Sequence, residues 1–224
     1  MIDADLVRRH AGPETLKEHA MPDDIKTVEE LVAHFGTPKG HLAEKEKPAL
    51  NHHCRRFIEL SPFCVLSTSA AGDGPADCSP RGDAPGFVHV LDDTTIAIPD
   101  RPGNRRTDTF HNIIENPEIA VMFMVPGLNE VMRLNGRARL TNDLALLEKM
   151  VANGKMPLAA LVIDIRYVYF HCGKAVIRAD LWNPDNRVQR KDFPTLGKIN
   201  ADWYGVDAGE TDRALQDAYK NNLY

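Results

Sequence analysis

The chain has 224 residues, of which 43% are hydrophobic and 26% are charged, the balance of an ordinary globular protein. This length can bury a substantial core without metal or disulfide support. A formal net charge of −5 excludes the basic excess that is typical of a nucleic-acid coat protein. The longest apolar runs, residues 119–125 and 158–163, are too short to span a bilayer, and the first residues show no secretory-signal pattern. The four cysteines have no CxxC spacing, which together with the missing signal predicts a cytoplasmic protein with reduced thiols and no membrane partner.

The first part of the chain is predicted to contain an irregular arm over residues 1–26, then two helices and two hairpins. A helix is predicted over 27–35, because Thr27 and Glu30 have capping-box spacing and Gly36 suits its end. A second helix is predicted over 48–60, with Cys54 on its apolar face. The residue period then changes from helical to alternating, and strands are predicted over 63–69, 75–79, 87–91 and 94–98.

The rest of the chain alternates between helical and strand patterns. Asn104 is predicted to cap a helix that ends near Glu115, and the apolar run 119–125 is predicted to be a strand buried on both faces. Further strands are predicted over 131–140 and 158–170, with helices over 142–152 and 211–221. About six strands joined mostly by hairpins favour an α+β fold built on a small antiparallel barrel.

Two polar pieces carry most of the chemical information. The first is Ser79-Pro80-Arg81-Gly82-Asp83, and the second runs from Pro99 to Arg106. Each piece follows a predicted strand, and we expect the two to meet at one rim of the barrel. The second piece is also predicted to open a helix, so backbone N–H groups and arginines would converge there, as an anion site requires. The alternative is that these arginines are solvated loop charges, although their Gly- and Pro-rich setting favours a fixed backbone.

These pieces belong to a longer stretch, CSPRGDAPGFVHVLDDTTIAIPDRPGNRRTDTFHNIIENP, followed by VMFMVPG and LNGRARLTND. The sequence resembles the pyridoxamine 5′-phosphate oxidase-related, FMN-binding split-barrel family from about Val28 to Trp182. The resemblance implies an α+β fold with a six-stranded antiparallel Greek-key split barrel and peripheral helices over residues 27–182. It also implies a homodimer with FMN at the subunit interface. Residues 183–224 would be an extension packed on the barrel or on the dimer.

The resemblance also implies roles for individual residues. Ser79, Arg81 and Gly82 would lie on the strand along the flavin. The loop that receives the phosphate would contain Asp100, Arg101, Asn104 and Arg105, with Arg106 beside them. Three residues would reach a ligand across the dimer interface: Glu130, Arg133 and Lys174. No catalytic residue is assigned.

The sequence departs from the family in one place. Pyridoxamine phosphate oxidases proper end in a strand with an Arg-x-His pair that holds the substrate, and no such pair follows Trp182 here. We therefore expect an FMN-dependent oxidoreductase that acts on a small molecule, without assigning pyridoxamine phosphate as the substrate. A non-catalytic flavin carrier or sensor is the alternative, and a split barrel that uses haem or a deazaflavin is a third, weaker one.

Two histidines beside a cysteine, His52-His53-Cys54, invite a metal hypothesis. Neighbouring residues on a helix point about 100° apart and are poor joint ligands, and Cys54 falls on the predicted apolar face. Cys172 lies near Lys174, which could lower the pKa of its thiol, but a structural role is favoured. The sequence therefore predicts no metal site.

Overall fold

A computed structural model describes residues 24–224, which fall into two compact units. The first unit ends at Lys45 and contains α1 (Val28–Phe35) and a 3₁₀ turn over Gly40–Leu42. The Thr27 side chain accepts a hydrogen bond from the Glu30 N–H at 3.1 Å, and the Glu30 carboxylate accepts one from the Thr27 N–H at 3.2 Å. The predicted capping box is therefore confirmed. Residues 1–23 of the predicted arm lie outside the described residues.

The second unit, Glu46–Tyr224, contains one sheet and six helices longer than a single 3₁₀ turn. Its strands are β1 (Phe63–Ser69), β2 (Ala76–Gly82), β3 (His89–Val90), β4 (Thr95–Pro99), β5 (Glu118–Met124), β6 (Val131–Thr141) and β7 (Ala160–His171). Its helices are α2 (His52–Leu60), α3 (Asp108–Glu115), α4 (Leu144–Glu148), α5 (Lys174–Arg178), α6 (Leu196–Tyr204) and α7 (Ala208–Asn221). None of the described helices has the length and apolar character needed to cross a bilayer.

The sheet has seven strands, so the expectation of six is wrong. The shortest strand is β3, which lies within the predicted strand 87–91 and pairs with β4 as a hairpin through His89 opposite Ala97. All neighbouring strands are antiparallel, in the order β2-β1-β5-β6-β7-β4-β3. Within residues 24–224 no ladder joins β2 to β3, so the hydrogen bonding does not close into a barrel.

The sheet is nevertheless curled. Asp83, directly after β2, forms an ion pair with Arg101, which closely follows β4. These strands are first and sixth in the strand order, so their ends meet only if the sheet bends round. One cluster of buried side chains unites the strands with α2 and α3, including Ile58, Leu66, Phe123, Leu134 and Ile163. The curled sheet therefore has a buried concave face and an open face.

Strand β5 shows the difference between these faces. Ile119, Val121 and Phe123 are buried, whereas the alternate residues Met122 and Met124 are only half-buried. The prediction of burial on both faces is wrong for this single chain, because no described element covers the open face over β5.

Several predicted helices differ in their bounds. Helix α2 begins at His52, because the Asn51 side chain caps the Cys54 N–H at 3.0 Å. Helix α4 covers only part of the predicted 142–152. In the extension, α6 was not predicted, and α7 begins before residue 211. These two helices pack closely at Gly197, where a Cβ would lie 2.3 Å from the Ala208 carbonyl oxygen.

Candidate functional site

Strand β2 continues through the first polar piece. The strand was predicted to end at Ser79, but it extends to Gly82, so Ser79 and Arg81 are strand residues that point to the same face. Pro80 has no N–H to donate, and β2 tolerates it because the strand lies at the edge of the sheet. The Ser79 and Arg81 side chains are thereby held at fixed positions rather than in a loop.

Arg81 is half-buried and its guanidinium is fixed locally. Nη1 donates to the Ser79 hydroxyl at 2.6 Å and to the Pro80 carbonyl at 2.8 Å. The residue opposite Arg81 in the ladder is Cys64. Burial raises the pKa of the Cys64 thiol to about 12, although the charge of Arg81 acts in the other direction. The thiol therefore stays protonated at neutral pH and is not a reactive thiolate.

An ion pair joins the two polar pieces. Arg101 Nε donates to Asp83 Oδ2 at 2.7 Å, and Arg101 Nη1 donates to the Met150 carbonyl at 3.0 Å. The Asp83 side chain is 4% exposed and that of Arg101 is 16% exposed, so solvent screens this pair weakly. The predicted meeting of the two pieces at one rim is confirmed.

The extension reaches the same place through Tyr224. Its hydroxyl donates to Asp83 Oδ1 at 2.6 Å, and its ring centroid lies 5.8 Å from Arg101 Cζ. Burial raises the pKa of Asp83, but hydrogen bonds from Tyr224, the Ala84 N–H and Arg101 outweigh burial and hold this pKa below its usual value. The hydrogen bond to Asp83 in turn raises the pKa of Tyr224. Asp83 is therefore an ionised carboxylate held by three donors.

Two further titratable groups lie in the electrostatic reach of these arginines. Burial raises the pKa of Asp100, and the charges of Arg81 and Arg101 oppose that shift. Burial also lowers the pKa of His89, and the positive charge of Arg101 lowers it further. Both shifts favour the neutral form of the group.

The loop before α3 does not have the predicted geometry. Helix α3 begins at Asp108, and its N-cap is Thr107 at φ 54°, which makes no side-chain capping bond within residues 24–224. Asn104, the predicted cap, instead accepts a hydrogen bond from the Arg106 N–H at 3.1 Å, a local bond that competes with helix formation. Arg105 has φ 61°, which interrupts a right-handed helix. The helix dipole therefore begins after the arginines rather than among them.

Helix α3 fixes the loop beside β2. Thr109 donates to the Asp77 carboxylate at 3.0 Å, and Asn112 donates to the Thr68 hydroxyl at 3.0 Å. Arg106 is exposed, pairs with Asp108 at 2.8 Å and lies within electrostatic reach of Asp77. Arg81 and Arg106 therefore lie near β2, and Arg101 lies between the end of β2 and the end of β4.

The family model described as pyridoxamine 5′-phosphate oxidase matches residues 50–172, which is more than half of the 224-residue chain. The chain belongs to the pyridoxamine 5′-phosphate oxidase family. The match spans α2 to the end of β7, and both polar pieces lie within it. No curated protein sequence matches the chain.

Solved structures with some likeness include three bacterial proteins. HupZ from Group A Streptococcus is 18% identical, with 53% of this chain and 91% of that chain covered at a TM-score of 0.44. General Stress Protein 26 from Bacillus anthracis is 17% identical, with 58% of this chain and 94% of that chain covered at a TM-score of 0.41. The FAD binding protein from Mycobacterium smegmatis is 12% identical, with 55% of this chain and 95% of that chain covered at a TM-score of 0.36. These scores are too low to carry an argument about ligand or activity.

The other predicted site residues of this family member lie elsewhere on the sheet. Glu130 precedes β6 and Lys174 begins α5, and both are exposed. They lie at the same end of the sheet as Gly82. Followed along the sheet, β6 is three strand spacings from β2, about 14 Å, and β7 is four spacings from β2, about 19 Å. Arg133 lies on the open face, with Cζ 5.5 Å from the Tyr169 ring centroid. Within residues 24–224, no hydrogen bond or ion pair links Glu130, Arg133 or Lys174 to Arg81.

Sequence reasoning missed Asp83, His89 and Tyr224 as members of this cluster. Asp83 carried a signal, since an acidic residue within a Gly- and Arg-rich piece is expected to pair with a nearby arginine. His89 and Tyr224 carried none, because their positions depend on the curl of the sheet and on the docking of α7.

Other candidate groups show no ligand-binding geometry. The rings of His52 and His53 lie 3.8 Å apart at a tilt, and Cys54 is buried in the core. Throughout the described part of the chain, no three His, Cys, Asp or Glu residues form a group that could hold a metal ion. A cleft of about 290 Å³ on the open face is lined by Ser67, Asn135, Arg166 and other residues, none of which belongs to the predicted site.

Proposed function

We propose that this chain is an FMN-binding oxidoreductase of the pyridoxamine 5′-phosphate oxidase type, acting on a small molecule. Family membership supports the flavin fold, and the curled sheet is consistent with the split barrel of that fold. The observation that carries the proposal is the Asp83–Arg101 ion pair, because it joins the strand expected to lie along the flavin to the loop expected to bind its phosphate. Residues 27–182 would be the flavin domain.

The donor set fits a phosphate ester. Arg105 and Arg106 lie on an exposed loop, and the guanidinium fork of arginine can bond two phosphate oxygens at once. Arg81 is held by Ser79 with one of its nitrogens, which leaves its charge beside the β2 edge. An ionised Asp100 would repel a bound phosphate, but burial raises the pKa of Asp100 and so favours its neutral form. These residues would hold the phosphate and orient the ring.

When bound, FMN supplies a hydride acceptor at N5. The part of this chain is to bind and orient: Ser79, Arg81 and Gly82 would lie along the ring, and Arg101, Asn104, Arg105 and Arg106 would surround the phosphate. No group in the described cluster has the geometry that assigns it a proton-transfer step.

A homodimer would complete the site. The open face carries a cross-strand row of Val65, Met122, Arg133 and Tyr169, with Phe63 and Met124 in the next row. Phe63 is exposed and the methionines are half-buried, so a second copy could bury this apolar surface. Because Glu130 and Lys174 form no hydrogen bond or ion pair with the β2 residues within residues 24–224, the additional flavin contacts would come from Glu130 of the partner subunit and Lys174 of the partner subunit.

The purified chain tests the cofactor. Flavin absorbance bands, with FMN identified by mass after heat release, are the expected result. Arg105→Ala should weaken FMN binding by at least about tenfold, since a charge-assisted contact is lost. Arg137→Ala, an exposed arginine paired with Glu118 outside the site, is the matched control. A colourless chain that does not quench the fluorescence of added FMN would refute the proposal.

Turnover distinguishes an enzyme from a carrier. Rapid and repeated bleaching of bound flavin by amines, alcohols or reduced nicotinamide, followed by reoxidation, is expected of the oxidoreductase. Tight FMN binding without multiple turnover for any small donor would instead indicate the carrier. For the dimer, light scattering of wild type and Met122→Glu should give dimeric and monomeric masses respectively, and a monomeric wild type would exclude an interfacial flavin.

A further inference from the structure

The 183–224 extension contributes one side chain to the center of the candidate site. Tyr224 lies 141 positions after Asp83, yet its hydroxyl and ring contact both members of the Asp83–Arg101 pair. The Tyr224 carbonyl also accepts a hydrogen bond from Lys155 Nζ at 2.5 Å. Tyr224 is therefore held from two sides at the point where the two polar pieces meet.

These contacts restrict the orientation of Arg101. Nε is directed at Asp83, Nη1 at the Met150 carbonyl, and the Tyr224 ring lies against the guanidinium. An arginine has five N–H donors, and these two bonds leave Nη2 without a partner within residues 24–224. A guanidinium fixed in this way loses little side-chain freedom when it binds an anion.

We propose that Tyr224 is a positioning residue for the phosphate end of the ligand site. Its hydroxyl orients Asp83 and its ring supports Arg101, so that the remaining N–H groups of Arg101 are presented to the phosphate. The extension is then part of the binding site rather than a peripheral addition. This inference rests on the proposed flavin function and concerns only the phosphate end of the ligand.

The measurement is the ratio of the affinities for FMN and riboflavin, which differ by the phosphate. The full-length wild type is compared with Tyr224→Ala, Tyr224→Phe and Tyr219→Ala, using quenching of flavin fluorescence. Tyr219 is an exposed tyrosine on α7, and its substitution is the matched control. Circular dichroism of each variant verifies folding.

We expect Tyr224→Ala to lower the FMN-to-riboflavin affinity ratio by about tenfold, the change that follows from the loss of one well-placed charge-assisted bond. Tyr224→Phe retains the ring over Arg101 and should restore part of the ratio, and Tyr219→Ala should leave it unchanged. If Tyr224→Ala does not fold, Tyr224→Phe provides the test. Its FMN-to-riboflavin affinity ratio is then expected to be lower than that of the wild type.

The opposing outcomes are distinct. Equal weakening of FMN and riboflavin by Tyr224→Ala would show a purely structural role and overturn the positioning role. An unchanged ratio in Tyr224→Ala, or in a folded Tyr224→Phe when the alanine variant is unfolded, would also overturn it. A wild type that binds neither flavin would refute the proposed function and this inference together.

Discussion

Replacement of Asp83 by alanine is expected to destabilise the chain by about 3 kcal/mol. The substitution removes a carboxylate that accepts hydrogen bonds from Arg101, Tyr224 and the Ala84 N–H. A single hydrogen bond to a charged group contributes about 1.5–3 kcal/mol, and leaving a buried charge without its partner costs about 3–5 kcal/mol. The Arg101 side chain keeps 16% exposure, which places the expected loss at the lower end of that range.

Urea unfolding at neutral pH measures this loss, with an unchanged m-value showing that the two-state comparison holds. Asp93→Ala is the matched control, because Asp93 pairs with Arg55 while its side chain is 68% exposed. Exposed pairs of this kind contribute at most about 1 kcal/mol. If Asp83→Ala costs no more than Asp93→Ala, the interpretation of the Asp83–Arg101 pair as a buried, structure-determining contact is wrong.

Three further results are expected from urea or thermal unfolding. The difference in unfolding free energy between wild type and Asp83→Ala should be fully present above the pKa of an unfolded Asp, about 3.9. It should disappear as the pH falls through the pKa of Asp83 in the folded chain, which lies below the usual value. A difference that persists below both pKa values would contradict this linkage. Gly136→Ala should destabilise the chain by at least about 1–3 kcal/mol, because the new Cβ would lie 2.2 Å from the Asp164 carbonyl oxygen. Gly103→Ala is the control: open space surrounds Gly103, so its substitution should change the stability by less than about 0.5 kcal/mol. Ile113→Ala should cost about 2–5 kcal/mol because Ile113 is 4% exposed, and Ile114→Ala, at 73% exposure, should cost far less; equal losses would show that the face of α3 is assigned wrongly.

The strands could be predicted from the sequence because alternation is a local pattern. The bounds of β1 agree with the sequence prediction at both ends, and the hairpin of β3 and β4 follows from its turn residues. The two polar pieces could be identified from their clustered arginines, glycines and prolines, and the family resemblance then suggested their roles. Their meeting was expected from the short distance in sequence, and the ion pair confirms it.

The loop before α3 shows where local reasoning was insufficient. Asn104 has the side chain of a helix cap, but that side chain bonds to Arg106 instead. Arg105 and Thr107 have left-handed backbone, so the helix begins only after them. No residue pattern in the sequence tells whether the Asn104 side chain caps a helix or bonds to the loop backbone. Helix α6, in contrast, was missed although it carried signals, since Thr195 caps it and Gly205 ends it.

Tyr224 shows a second limit. Its contact with Asp83 spans 141 positions, and it exists because the sheet curls and α7 packs beside α6. Periodicity and capping describe neighbours in sequence and contain no information about such a pair. A site built partly from a distant tyrosine can therefore be found only in three dimensions.

The two ends of the strand order determine how copies of this protein can associate. At one end, β2 contains Pro80, which cannot donate a backbone hydrogen bond to an added strand, and at the other end β3 is only two residues long. Short or proline-containing edges protect sheets against strand-by-strand polymerisation. Self-association would then proceed face to face, with a defined stoichiometry, rather than by growth of a continuous sheet into fibres.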